Sequence, residues 1–482
     1  MSFSRSKNSS SHQKALPPEA PFVLDLFDEI EKAKLEYCVE RNYERLPFNL
    51  DGGDIDLLIR EKHFQTALAI TSALANKHNA MVQLLQRNSG LTAIRCFGFD
   101  CEGKAWAVPI DLETDLRWRG IEFYPSKRVL KNASFESGIR RANSCDAALI
   151  AFLKELLYKK NVPYKYREEL IQAYQENPQY LSGQLGKAFG RKGSRLLGLL
   201  PNHNIQNLKK VAKELCHALL IRRLLRSPLC VLRHKSIDFV IHCRRVLVRP
   251  GIMLVVLGSD GVGKSTLIER VRHEFDRLMH VAVKTQIRHW RPHLLPRLAR
   301  LFGRKIVEEP TESLINPHAA PPSGTFGSIL RLAYYTIDYL LGYLFLIYPV
   351  LVKYPTVCFF DRYYYDYFVD PTRWKVNAPK WAVKLFGCFV PRPDLIIILT
   401  ADLSLIHQRK PELSLEELYQ QAIIRRQLAR KLKNVVWIDN SGDVEISANK
   451  MLQAVFEAFA GRTKHNRFCK SQKEESVLFE RA

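Results

Sequence analysis

Gly251–Leu267, GIMLVVLGSDGVGKSTL, decides how the second half of this chain folds. An apolar run of the kind that forms a buried strand passes directly into a glycine-punctuated turn and leaves it through Lys-Ser-Thr, the start of a helix. Gly258 to Ser265 fits G-x-x-x-x-G-K-[ST], and a strand before with a helix after is the setting in which that pattern cradles phosphate. Glycine lets successive backbone N–H groups curl round phosphate oxygens with no Cβ in the way, and the following helix presents its positive end. The turn is therefore expected to bind ATP through Gly258, Ser259, Asp260, Gly261, Val262, Gly263, Lys264, Ser265 and Thr266. Lys264 is expected to reach the β- and γ-phosphates, and Ser265 to ligand Mg2+.

Outward from the turn, strands alternate with helices: IMLVVLG, HVAVKTQIRH, TVCFFDR, DLIIILT and NVVWIDN. Near-continuous apolar strands separated by helices predict a parallel sheet covered on both faces. TVCFF runs into DRYYYDYFVDPTRW, placing Asp361 and Arg362 at the carboxyl end of a buried strand, where open α/β sheets bind ligands. A carboxylate there organises Mg2+ or its waters, and an arginine beside it forks onto a phosphate. Lys264, Asp361 and Arg362 are the predicted catalytic residues, with Ser265 and Asp361 on the metal.

GSDGVGKST, FFDRY, PDLIIIL and the following RKPELS together resemble the thymidylate kinase superfamily of nucleoside monophosphate kinases, over residues 251–462. The resemblance implies an α/β P-loop NTPase fold, a parallel sheet covered by helices, that transfers the γ-phosphoryl group of ATP to an acceptor. It implies that Asp260 contacts the acceptor's sugar and that Arg362, with Tyr363 beside it, binds the acceptor's phosphate. Gly261 stands where one branch of the family carries a catalytic arginine, so the resemblance looks to a lid for catalytic cations: Arg409 and Lys410, then Arg425 and Arg426. Where the family's second strand leads into an Arg-Glu-Pro-Gly-Gly turn, this chain reads QIRHWRPHLLP, leaving Arg288 and Arg291 to meet an acceptor anion. RHWRP, DRYYYD and RKPELSLEE are similar to thymidylate-kinase-like proteins associated with surface polysaccharide synthesis, which implies a phosphorylated sugar or glycan acceptor beside the nucleoside monophosphate alternative.

A second constellation lies near the amino terminus. GGDIDLLI sets Asp54 and Asp56 two apart on an expected strand, so both carboxylates face one side, and Asp111 of VPIDLE is placed to join them. Three converging carboxylates suit two Mg2+ ions. The D-x-D and later Asp resemble the nucleotidyltransferase superfamily, although the Gly-Gly pair, Gly52 and Gly53, abuts Asp54 instead of lying upstream. Three readings stay open: a working transferase, a degenerate sugar- or nucleotide-binding module, and a salt-bridged D-x-D.

The division expected is a disordered polar tail (1–20), an α+β nucleotidyltransferase-like domain (21–130), a basic helical connecting domain (131–250), the P-loop domain (251–462) and a charged tail (463–482). Net charge is +24, and Glu136–Pro250 holds 22 Lys/Arg against 8 Asp/Glu, a patch for a polyanion or an anionic membrane surface, or simply a solvated helical face. Ten cysteines without a CxxC pair point to a reducing, cytoplasmic setting, and the amino terminus has no apolar signal-peptide core. Tyr339–Val352, YLLGYLFLIYPVLV, is uncharged but short of the ~20 residues a membrane span needs and contains Pro349, so it reads as a buried helix. Three function classes follow: a kinase, a nucleotide-dependent switch or scaffold in glycan synthesis, and a nucleic-acid-processing protein. The second phosphate site at DRY favours the kinase, and no RNP-like strand or helix-turn-helix signature supports nucleic acid as a partner.

Overall fold

A computed structural model describes residues 16–50, 53–193, 196, 208–279, 283–296 and 324–462. Most of the two expected tails, Gly52 and the loop at LLPNHN lie outside these residues. The chain lays down β1 (Tyr37–Val39), β2 (Ile55–Ile59), β3 (Met81–Asn88), β4 (Leu91–Phe99), β5 (Ala105–Glu113), β6 (Leu116–Trp118), β7 (Ile121–Tyr124), β8 (Ser134–Glu136) and β9 (Ile139–Arg141) before a helical stretch. It then forms β10 (Ile252–Leu257), β11 (Lys284–His289), β12 (Thr356–Asp361), β13 (Leu395–Thr400) and β14 (Val435–Asp439). The contacts divide the molecule into two units. One comprises residues up to Asn79, Phe99–Trp118 and Glu122–Arg223; the other comprises Ala80–Gly98, Arg119–Ile121 and the chain from Leu224 onward.

In the first unit the strand order is β5-β2-β1-β9-β8. β2 runs parallel to β5 and antiparallel to β1. Every residue of β2, IDLLI, is buried, Asp56 included. The helix Ser144–Lys159 starts from Asn143, whose side chain accepts the Cys145 N–H at 3.0 Å and so satisfies one of the free amides at the helix start. Twelve of its residues are buried, which suits a helix apolar nearly all round.

The second unit holds the five-stranded sheet β11-β12-β10-β13-β14, parallel throughout. Its central strand β10 is buried at all six positions, whereas the edge strands β11 (KTQIRH) and β14 (VVWID) are more polar and more exposed. Residue type thus follows position: strands covered on both faces are aliphatic, and edges carry charge. The helices Lys264–Met279 and Val444–Gly461 cover the sheet with Leu267, Val271, Phe275, Met451, Val455, Phe456 and Phe459. The β3–β4 hairpin joins this core through Phe97, whose ring lies 4.7 Å from that of Phe456, while Phe275 lies 5.7 Å from Phe459.

The apolar segment that the sequence reading confined to Tyr339–Val352 belongs to a longer helix, Thr325–Lys353. That helix is long and apolar enough to cross a membrane by length and composition, and 39% of its most apolar stretch is buried, which corrects the reading of a short, buried element. Pro349, lacking an N–H, follows a π-helical turn over Tyr343–Ile347 that re-registers the backbone and lets the helix continue.

Phe456 touches both Phe97 and Phe275, so Phe456→Ala should cost about 3–5 kcal/mol of stability, read as a lowered midpoint in urea unfolding. A change under about 1 kcal/mol would show that the hairpin does not share this core.

Candidate functional site

The site forms where β10 ends and the helix Lys264–Met279 begins. Gly261 (φ +83°) and Gly263 (φ +92°) adopt left-handed backbone that other residues enter at a cost. A Cβ on Gly263 would also stand 2.6 Å from the Asn440 amide, which donates to the Val262 carbonyl at 2.8 Å and braces the turn from the end of β14. Within this turn Lys264 is buried, its ammonium donating to the carbonyls of Gly258 at 3.1 Å and Ser259 at 2.8 Å. Burial pushes its pKa down to about 8, against the pull of Asp361 and Asp366.

Across the cavity, the end of β12 supplies Asp361 and Arg362. Ser265 Oγ donates to Asp361 Oδ2 at 3.0 Å, and Asp361 Oδ1 is buried without a hydrogen-bond partner. Burial raises the Asp361 pKa, but His289, Lys264 and Ser265 outweigh it and hold the carboxylate ionised. Arg362 sits at φ +70°, which costs an L-residue roughly 1–2 kcal/mol, and its N–H donates to Val256 O at 3.1 Å. Its guanidinium pairs with Asp260 and, at 3.4 Å, with Asp366. Asp260 collects further cations: Arg373 in direct contact, Lys264 at 3.5 Å and Lys410 at 3.7 Å.

These groups line one cavity of about 510 Å3. Its rim includes five cationic side chains, Lys264, Arg362, Arg373, Arg409 and Lys410, against the two carboxylates of Asp260 and Asp361. Of the sequence-predicted residues, Gly261, Gly263, Ser265 and Thr266 also line it, while Gly258, Ser259 and Val262 form the back of the turn. Arg425 reaches the turn from the helix Leu415–Ala429, donating to Ser259 Oγ at 2.7 Å. Burial lowers its pKa to about 10. Arg426, one position on, is turned outward by the helical period and lines a different cavity.

Three predicted acceptor residues are placed elsewhere. Arg288 lies on β11 next to His289, and strand alternation turns the two to opposite faces; His289, registered with Asp361 and 3.6 Å from its carboxylate, faces the cavity. Arg291 is buried against Asp338 at 2.7 Å. Asp338 also accepts the N–H groups of His293 and Leu295, so this ion pair fixes the RHWRPHLLP segment and leaves Arg291 no reach to a ligand. Tyr363 is a core residue, 1% exposed, its hydroxyl donating to Pro391 O at 2.7 Å. The sequence reading passed over Arg373, His289 and Asn440. His289 and Asn440 stand at the carboxyl ends of β11 and β14, where the rule that singled out Asp361 also points.

In the first unit, Asp56 is registered with Asp111 across β2 and β5, and its carboxylate groups with those of Glu40 and Glu113. Glu113 lies two residues beyond Asp111 on the same face, and Glu40 follows β1 opposite Asp56. Lys154 projects into this group from the helix Ser144–Lys159, its ammonium 2.5 Å from Glu113, 2.6 Å from Glu40 and 3.7 Å from Asp56. Arg41 adds a contact at 2.6 Å to Asp56. Two side-chain cations, Lys154 and Arg41, thus stand against the carboxylates of Asp56, Glu40 and Glu113, a trio close enough together to share one metal ion. Burial pushes the Glu113 carboxyl up to about 8, with Glu40 adding to it. The native state therefore binds a proton there that the unfolded chain releases near the usual 4.5, so stability falls as pH rises through this window to about 8. Glu113→Gln, which keeps an acceptor for Lys154, should flatten that decline in thermal melts taken across it; an undiminished slope would assign it to another group.

No family model matches the chain, and no curated protein matches it. A crystal structure of thymidylate kinase from Ehrlichia chaffeensis aligns with 42% of this chain and 98% of its own length, at 14% sequence identity and a TM-score of 0.30.

Proposed function

We propose that the second unit is an ATP-dependent phosphotransferase of the kinase type. The observation that carries this reading is the buried, partnerless Asp361 Oδ1 beside Ser265 and Lys264 at the mouth of a glycine turn. An ionised carboxylate oxygen left bare in a cationic cavity is a costly arrangement unless a ligand completes it. Ser265 and Asp361 would hold Mg2+ and its waters; when bound, the ion supplies positive charge to the β- and γ-phosphate oxygens.

Lys264 and the amides of the turn hold the triphosphate, and Arg409 and Lys410 offset charge on the transferring group. Asp260, Arg362 and Arg373 form the acceptor side: the carboxylate takes a hydroxyl of the acceptor, and the arginines take its phosphate. Asp260 pairs with both Arg362 and Arg373, so an acceptor binds by exchanging these ion pairs for its own. The acceptor oxygen forms a bond to the γ-phosphorus as the bond to the β-phosphate oxygen breaks. A nucleoside monophosphate or a phosphorylated sugar or glycan satisfies this side, the sugar reading resting on the family resemblance.

Incubation of the full chain with γ-labelled ATP and a panel of nucleoside monophosphates, sugar phosphates and lipid-linked glycans tests the proposal. Lys264→Ala should lower transfer by about 10²–10³-fold. Unchanged turnover would refute the reading. Because a phosphate beside Lys264 favours its charged form, ATP binding should take up protons above about pH 8 and weaken as pH rises through that value. Titration calorimetry in buffers of different ionisation enthalpy reads that uptake, and Lys264→Met should abolish it. Arg373→Ala should raise the acceptor KM and spare ATP affinity; the opposite pattern would move Arg373 to the nucleotide side.

A further inference from the structure

The helix Thr325–Lys353 reverses the ordinary pattern of a surface helix, whose outward face is polar. From Phe326 to Pro349 no exposed position carries a polar side chain: Phe326 (82% exposed), Leu330, Ile337, Leu340, Leu344 and Phe345 (66%) face outward. The two charged residues in this span turn elsewhere. Arg331 donates to the carbonyls of Trp374 and Lys375, and Asp338 is buried on Arg291.

Neighbouring elements of the same unit extend this character. The helix Lys380–Gly387 packs on Thr325–Gly342 and exposes Trp381 and Leu385, with Phe389 just beyond it. On the other side, Tyr348 donates to Val246 O of the helix Pro228–Leu247, which exposes Leu229, Leu232 and Phe239. Exposed charges on these three helices are all cationic: Arg233, Lys235, Arg244, Lys353, Lys380 and Lys384. Asp238, the acid within the Pro228–Leu247 helix, accepts the Ser89 N–H at 2.7 Å.

We propose that this face docks the protein on an anionic lipid bilayer, the apolar side chains entering the headgroup boundary and the lysines and arginines meeting lipid phosphates. Charge selects this occupant. A second copy would bring the same cations face to face, whereas an anionic leaflet brings opposite charge. The helix lies on the bilayer and does not span it, because Leu332, Tyr339, Ile347 and Leu351 on its other side are packed in the sheet's core beside the buried Arg291–Asp338 pair, and crossing would pull that pair into hydrocarbon. The inference is independent of the phosphotransferase reading, since it concerns vesicle binding and not turnover.

The test is co-sedimentation of the full chain with phosphatidylcholine vesicles, with and without phosphatidylglycerol. Binding should require phosphatidylglycerol and weaken as salt is raised. Lys380→Gln with Lys384→Gln should weaken it about fivefold per lysine. Phe326→Ser with Phe345→Ser should abolish it, with unfolding midpoints unchanged because both side chains are exposed. Absence of binding, equal binding to neutral vesicles, or full binding by the serine variant overturns the proposal. So does self-association in light scattering that the serine variant abolishes, which would make the face a contact between copies.

Discussion

The second unit is organised around keeping a charged lysine out of water. Lys264 is surrounded by a glycine turn whose carbonyls accept from it, and desolvation has already brought it near the point of losing its proton. Nothing in a folded protein sustains such a group without compensation. The compensation fixes much of what surrounds it: the two left-handed glycines that let the turn close, the Asn440 brace, and the Asp361 carboxylate at the end of β12. Arg362, held at positive φ, is a further strain concentrated at the same place.

The first unit solves the same problem in the opposite sense. Lys154 is also largely withdrawn from water, yet Glu113, Glu40 and Asp56 outweigh its desolvation and hold it above its ordinary range. Its cluster sets Lys154 and Arg41 against the carboxylates of Glu40, Asp56 and Glu113. Lys264 faces a cavity in which positive side chains outnumber negative ones, and the imbalance calls for an anion. Two lysines withdrawn from water thus sit in opposite settings, one among carboxylates and one beside further cations, and the difference lies in the count of carboxylates within reach.

The inner strands β10, β12 and β13 were legible because each is a mostly apolar run, and the glycine turn because its residue types leave few alternatives. Asp361 followed from its place at a strand end. What sequence left hidden depended on direction and partner. Arg288 and His289 are adjacent, and only the registration of β11 on β12 decides which one meets Asp361. Arg291 looks like a ligand arginine until Asp338 is brought beside it by a helix far along the chain. The D-x-D pattern placed Asp56 correctly on a buried strand, but the cations beside it are Arg41, just past β1, and Lys154, from a helix about a hundred residues further on. Tyr363, expected beside Arg362 at the acceptor's phosphate, is instead a pillar of the core, as is Tyr364, both anchored by hydroxyl bonds to backbone carbonyls.

The β3–β4 hairpin belongs to a core that is completed by the helix Val444–Gly461, far along the chain. During synthesis the hairpin leaves the ribosome long before Phe456 exists, so Phe97 must wait without its permanent neighbours while most of the polypeptide is made. Contacts so distant in sequence are slow to form, and an unpaired apolar hairpin is open to wrong partners in the interval. Settling of the hairpin therefore hinges on Val444–Gly461, and loss of that helix would strand the hairpin as surely as it would damage the sheet beside it.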